Sequence, residues 1–368
     1  MRHESKPNPK PMAYTTITRG FEAAAYPKIV RELKDSNLLV KQKALIAARE
    51  LLGSSTSYVQ CIAHGITPAV ITLLQDADAL VRERAAGTME YLSVKEVGAR
   101  DVVQHGGIQQ LVVQLQDEGT AVRDAAYGAL IEAARFDVVR MALVKLRKAL
   151  PLLMNLVLEE KLNRSLKGLT LLNACVQVRN NQAALKQLVD DAACVPSLSQ
   201  LISCGRHEAI QEQAAQLLGL VASTFTDAKL EAVQTGCVPK LIALLDQQNN
   251  VLLATAATAA LMMITIVNDG KYAVINCDQG LERLAGQWMD PMVSELVCVN
   301  ITQCITNVAE APEARPVLIE CGAMERLVAI FEGVAVSEIV KRGAAEAMRQ
   351  CKFNYLPHQR LPGREKQS

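Results

Sequence analysis

Ten cysteines and five histidines are the side chains of this sequence best suited to metal binding or nucleophilic work, and their spacing supports neither. The cysteines, at Cys61, Cys175, Cys194, Cys204, Cys237, Cys277, Cys298, Cys304, Cys321 and Cys351, form no CxxC pair. Scattered in this way, cysteine serves as a small buried apolar side chain in a reducing compartment, so neither a disulfide framework nor a zinc site is expected. His64 and His105 each precede a glycine, but their surroundings repeat with them: "HGITPAVITLLQD" returns as "HGGIQQLVVQLQD". Asp76 and Asp117 keep the same forty-one-residue step, Val81 and Arg82 recur as Val122 and Arg123, and Ala85 recurs as Ala126. The imidazoles therefore belong to a repeat rather than to a metal pair. The sequence holds no P-loop, no GxGxxG after a strand, no HExxH and no GxSxG elbow. No enzyme activity, cofactor, metal or small-molecule substrate is expected. Two glycosylation sequons, at Asn163 and Asn300, fall within predicted long helices and read as incidental.

The repeat is followed best through the residue after each Gly-φ-φ turn, often proline, because proline is tolerated in the first turn of a helix. That position runs Pro27, Pro68, Gln109, Pro151, Pro196, Pro239, Glu282 and Glu325, with steps of 41, 41, 42, 45, 43, 43 and 43 residues. Eight units are expected over residues 21–356, flanked by flexible tails at 1–20 and 357–368 that are Pro-rich and basic. Each unit reads as a short helix ("PAVITLLQD", "PKLIALLDQ"), a longer one with a recurring Ala ("VRERAAGTMEYL", "VRDAAYGALIEAA"), and a third leading to the next glycine. Gly65, Gly106, Gly236 and Gly322 suit the turn between units. In "MDPMVSEL", Asp290 is expected to cap the long helix with Pro291 just inside it.

Composition agrees with a large helical core: half of the chain is apolar but only 4% aromatic, so Ala, Leu, Val and Ile must do the packing. Thirty-nine basic residues against thirty-eight acidic ones leave no overall field for nucleic acid or membrane, and neither is an expected partner. The uncharged run at 251–267 would reach roughly 25 Å as a helix, short of the roughly 30 Å hydrocarbon core, so it is read as a buried helix. The amino terminus lacks the apolar stretch of a signal peptide, which predicts an intracellular protein.

Three helices in about forty-two residues, with a Gly-φ-φ-Pro-x-φ-φ-x-φ-φ line, resemble the armadillo repeat. The implied fold is all-α, a right-handed superhelical solenoid of about eight three-helix repeats with an extended concave surface. In peptide-binding armadillo arrays, the longest helix of each unit lines that groove, and nuclear import adaptors carry a Trp and Asn ladder on it. On that pattern the Asn position reads Glu50, Tyr91, Glu132, Asn173, Leu220, Met263, Asn307 and Gln350, the candidate partner contacts. The Trp position reads Ile46, Gly87, Gly128, Leu169, Gln216, Ala259, Gln303 and Glu346. With two Asn and no Trp, an import role is disfavoured. The first half offers acids at Glu50 and Glu132, and the later units offer Leu220, Ala259 and Met263, better suited to an amphipathic helix.

Two stretches carry a narrower likeness, "YPKIVRELKDSNLLVKQKAL" at 26–45 and the segment 259–320, which contains Gly270-Lys271-Tyr272-Ala273 and Ala309-Glu310-Ala311-Pro312-Glu313. They resemble the radial spoke armadillo proteins of cilia and flagella, of the radial spoke protein 14 family, with radial spoke protein 8, another armadillo subunit of that assembly, as the other candidate. The resemblance implies a non-catalytic structural subunit of the axonemal radial spoke, made in the cytoplasm, that contributes to spoke assembly and motility control. Its implied partners are other spoke subunits, through long helices of a spoke scaffold protein. A soluble armadillo adaptor holding peptide cargo or a regulatory partner in its groove is the alternative.

Overall fold

The computed structural model describes residues 22–177, 182–203, 205–246 and 250–351. The two expected tails, 1–20 and 357–368, lie outside the described residues, as does Cys204. Among the described residues every regular element is helical. The chain divides into two compact units, residues 1–149 and 150–368.

The first unit repeats an order of short, long and short helix three times. It runs α1 (Ala25–Leu33), α2 (Leu38–Leu52), α3 (Ser55–Ala63), then α4 (Ile66–Leu73), α5 (Ala79–Leu92), α6 (Glu96–Gln104), then α7 (Gly107–Gln114), α8 (Thr120–Ala133), α9 (Asp137–Lys145). The second unit continues the order with α10 (Ala149–Glu159), α11 (Leu162–Val176), α12 (Gln182–Ala192), then α13 (Cys194–Ile202), α14 (Glu208–Thr224), α15 (Thr226–Gln234). It goes on through α16 (Cys237–Leu244), α17 (Val251–Ile264), α18 (Asn268–Ile275), then α19 (Gly280–Leu284), α20 (Glu295–Val308), α21 (Ala314–Glu320). The last described repeat holds two helices, α22 (Ala323–Glu332) and α23 (Glu338–Gln350).

Local chemistry sets the helix boundaries. The anchor residues Pro27, Pro68, Pro151, Pro196 and Pro239 are each the third residue of their helix, where the missing N–H would have no intrahelical acceptor. The side chains of Asn37, Asp78 and Asn250 accept from the backbone N–H of Leu39, Val81 and Leu253 and so open α2, α5 and α17. Gly65, Gly106, Gly236 and Gly322 all stand at positive φ, between 70° and 78°, as the turn between repeats demands. Ala193 and Gln279 occupy the same turn at φ 42° and 52°, where an L side chain is strained.

Two sequence expectations meet the structure differently. The run at 251–267 forms α17, which ends at Ile264, and no helix among the described residues is long and apolar enough to cross a membrane. Asp290 does not cap the long helix. Its carboxylate accepts from Met292 N at 2.9 Å inside a loop, after a 3-10 turn at Gln287–Met289, and Ser294 caps α20 instead. The buried Trp288 ring fixes that detour by donating from Nε1 to Leu245 O at 2.8 Å.

Each unit has its own core, made by the inward faces of the long helices and the short helices laid against them. In the first, Val81, Ala85, Met89, Leu111, Leu115, Ala126 and Leu130 are fully buried; in the second, Leu218, Leu241, Ala257, Leu261, Ile305 and Leu318 are. Burial of one such leucine or isoleucine contributes about 2 kcal/mol. The repeated Ala keeps neighbouring long helices close, and Gly219 carries this further, since a Cβ there would stand 3.4 Å from the Ala260 backbone.

Candidate functional site

The outward faces of the long helices are the candidate site, and in the two units they differ in chemistry. In the first unit, glycines at the expected Trp position leave gaps that charged side chains of the preceding long helix occupy. Arg49 of α2 lies beside Gly87 of α5 and sets its guanidinium 4.7 Å from the centre of the Tyr91 ring, a cation–π contact. Glu90 of α5 lies over Gly128 of α8, its carboxylate 3.2 Å from where a Cβ would be. Glu132 is half-buried and pairs with Arg135, whereas Glu50 is exposed.

In the second unit, Leu220 and Met263 lie together, as the repeat alignment places them. With Gln216, Leu252, Thr255 and Ala259 they line a mostly apolar cleft of about 470 Å³ between α14 and α17. Along α14, α17 and α20 the ionisable acids and bases are Glu208, Glu212 and Glu295, with no Lys or Arg among them. The cleft is thus apolar with acids toward one end.

The two Asn of the alignment do not face outward as clamps. Asn173 is buried on α11, and its Nδ2 donates to Gln213 O and Oε1 of α14, both at 3.0 Å. Asn307 is buried on α20, donating to Met262 O at 3.2 Å and Thr265 Oγ1 at 3.1 Å, and accepting from Gln303 at 3.2 Å. Asn173 thus ties its long helix to the next one, and Asn307 ties its long helix to the one before. Leu169 is fully buried, Gln350 is half-buried on α23, and the second sequon's Asn300 is buried and donates to Thr258 Oγ1 at 3.2 Å.

The alignment missed Leu252, which lines the cleft from the start of α17. Its equivalents Leu39, Leu80, Leu162, Leu296 and Ile339 are likewise exposed, each just before a position that enters the core in most repeats. The signal was present in the sequence as an apolar residue repeated where folding does not need one.

Lateral contacts between repeats explain the echoed residues. Arg82 of α5 grips Asp117 through Nε at 2.7 Å and Nη2 at 3.1 Å, while its Nη1 donates to Asp76 O. Lys41 pairs with Asp76 one repeat earlier. The Arg82 hydrogen bond holds the Asp117 carboxyl below the usual carboxylate range; at Asp76, partial burial pushes upward, but Lys41, the Asp78 amide and Arg82 outweigh it. Lys271, nearly buried, pairs with Glu310, and Tyr272 donates to Glu313 at 3.4 Å, so the two short motifs at 270–273 and 309–313 meet in space.

Burial governs the acidity of five of the described thiols. Burial pushes Cys61 and Cys351 up to about 11 and Cys194, Cys298 and Cys304 up to about 12, keeping them protonated at neutral pH. No three His, Cys, Asp or Glu side chains gather as metal ligands among the described residues.

No model of a known protein family matches the chain. Radial spoke protein 14 of Chlamydomonas reinhardtii is 48% identical over 367 residues, covering 98% of this chain and 94% of that protein. Among solved structures, an engineered protein is similar with a TM-score of 0.76 at 22% identity, over 89% of this chain and 78% of that one. A structure solved for the phosphorylation-switched interaction between cadherin and beta-catenin gives a TM-score of 0.74 at 16% identity, over 91% of this chain and 62% of that one. A designed armadillo repeat protein in complex with the peptide (KR)4 gives 0.57 at 20% identity, over 65% of this chain and 99% of that one. These likenesses make the fold that of an armadillo array.

Proposed function

The chain belongs to the radial spoke protein 14 family, and from that premise we propose that it is a non-catalytic structural subunit of the axonemal radial spoke that works by docking other spoke subunits. The observation that carries this reading is the extent of the likeness: 48% identity over 98% of the chain, which spans both units. Made in the cytoplasm and installed in the axoneme of a cilium or flagellum, the chain contributes to spoke assembly and through it to the control of motility.

The chemistry of the α14–α17 cleft suits this work. Leu220, Leu252 and Met263 offer apolar area in a cleft whose one charged lining residue is Glu212, which favours the ridge of a long helix from a spoke scaffold protein over an extended peptide. Two leucine-sized side chains seated there would contribute about 3–5 kcal/mol before the entropic cost of association. Asn173 and Asn307, the side chains able to clamp a peptide backbone, are engaged with their own neighbours, so the geometry lends nothing to a cargo-adaptor role.

The test is reconstitution. Axonemes depleted of the chain should show incomplete spokes and altered beating, and the full chain added back should restore both. The double variant Leu220→Asp, Met263→Asp should fold but fail to restore spokes. Normal spokes in its absence, or full rescue by the double variant, would count against this role.

A further inference from the structure

We infer that the loop edge of the last two described repeats is a second docking surface, distinct from the α14–α17 cleft, built for an amphipathic helix of a partner protein whose apolar ridge is flanked by Lys or Arg. The contrast within the repeat itself motivates this. The connection from short to long helix is polar at Asp35 to Asn37, at Gln75 to Asp78 and at Gln116 to Gly119. The equivalent connections before α20 and α23 read Asp290-Pro291-Met292-Val293-Ser294 and Gly333-Val334-Ala335-Val336-Ser337. Met292 is 77% exposed and Val334 98% exposed, so neither serves the core. Leu296 and Ile339, at the starts of the two helices, are also exposed. Met292, Val293 and Val334 therefore stand in solvent at positions where earlier repeats of the same chain place polar turns, and Leu296 and Ile339 extend the patch with the apolar residue that earlier long helices also expose at their starts.

The two connections are held side by side. Ser337 hydrogen-bonds to Glu295, and Met289, Pro291, Met292, Ile330 and Val336 line a shared cleft of about 350 Å³. Arg326 also lines it, donating from Nη1 to Gly286 O at 2.7 Å. The exposed carboxylates that adjoin these side chains along the chain, Asp290, Glu295, Glu332 and Glu338, outnumber the exposed bases there, Arg326 and Arg342, and make the rim net acidic. An acidic rim around an apolar patch complements a ridge of Leu or Ile at i, i+3 or i+4 and i+7 with basic neighbours, and it repels the anionic surface of a membrane. A free apolar patch of this kind on a protein surface marks an interface.

A synthetic eighteen-residue amphipathic helix with a Leu ridge and Lys flanks, and its counterpart with Glu flanks, are the probes, with binding to the full chain read by fluorescence anisotropy. The Lys peptide should bind, and the Glu peptide should bind at least roughly tenfold more weakly. Met292→Ser, Val334→Ser and Ile339→Ser combined should weaken the Lys peptide by a similar factor while leaving the thermal midpoint unchanged, because none of the three is buried. Leu220→Asp, Met263→Asp should leave this binding intact, which separates it from the role proposed for the other cleft. Equal binding of the two peptides, or no loss in the triple variant, would overturn the inference. So would a roughly tenfold gain on removing residues 352–368, which would make the chain's own terminus the occupant. A dimer that the triple variant converts to monomer would assign the patch to a second copy and overturn it likewise.

Discussion

The carboxylates of Asp76 and Asp117 join one repeat to the next through Lys41 and Arg82, and both are held below their usual range. In the folded chain they stay ionised to lower pH than in the unfolded chain, so the unfolded state binds more protons as acid is added. Their contribution is complete at neutral pH and is lost as pH falls below about 4, through the depressed values. Asp117→Asn should lower stability at pH 7 by about 1–2 kcal/mol, and denaturant titrations at pH 7 and pH 3 should show the gap to wild type closing. A constant gap would mean that the loss reflects packing rather than charge. Thiol accessibility gives a second residue-level prediction. Cys277 and Cys321 are half-buried and the other described cysteines are buried, so among the nine described cysteines a maleimide at mildly alkaline pH should label those two first, and the other seven only in denaturant. Mass spectrometry of labelled peptides would read the order; early labelling of Cys304 would contradict its burial.

At the scale of the element, the turn between repeats is the most legible feature of the sequence and also the place where it departs from its own rule. The recurring Gly before the short helix was readable because only one backbone conformation fits there, and the four glycines adopt it. Ala193 and Gln279 adopt it without being glycine, with nothing in the spacing to announce the strain. Ala193→Gly should therefore stabilise the chain by about 0.5–1 kcal/mol, the relief of left-handed strain exceeding the added freedom of the unfolded backbone. Gly236→Ala should destabilise by about 1 kcal/mol, although no atom lies within 4 Å of the new methyl group. Thermal unfolding of the two variants would check both signs. Side-chain direction was less legible. Spacing put Asn173 and Asn307 on the face of the long helices, but a helix carries neighbours on its flanks as well, and a buried amide turns toward whatever carbonyl the adjacent helix offers. The meeting of Lys271 with Glu310 was also beyond reach of spacing: the motifs were visible, but their contact depends on how α18 packs beside the turn after α20.

For the molecule as a whole, the question is how a lesson learned at one helix spreads. In a stacked array each repeat buries its apolar face only against its neighbours, so stability is close to a sum of repeat terms and nearest-neighbour terms. Leu261 stands in the last turn of α17 with no exposure, and α14 and α20 both pack against this helix. Leu261→Asp places an unpaired charge among these helices, with an expected loss above about 4 kcal/mol. Met263→Ala, two residues on but facing the cleft, removes area that the core does not use, and its loss should stay below about 1.5 kcal/mol while partner binding weakens. Hydrogen exchange separates the two outcomes. In Leu261→Asp, amide protection should fall first in α17 and next in α14, α16, α18 and α20, fading toward α11 and α23, whereas Met263→Ala should keep the wild-type pattern. A uniform loss across the second unit in Leu261→Asp would show that the unit unfolds as one block rather than by nearest-neighbour steps. Equal loss in both variants would place Met263 in the core and remove it from the docking face.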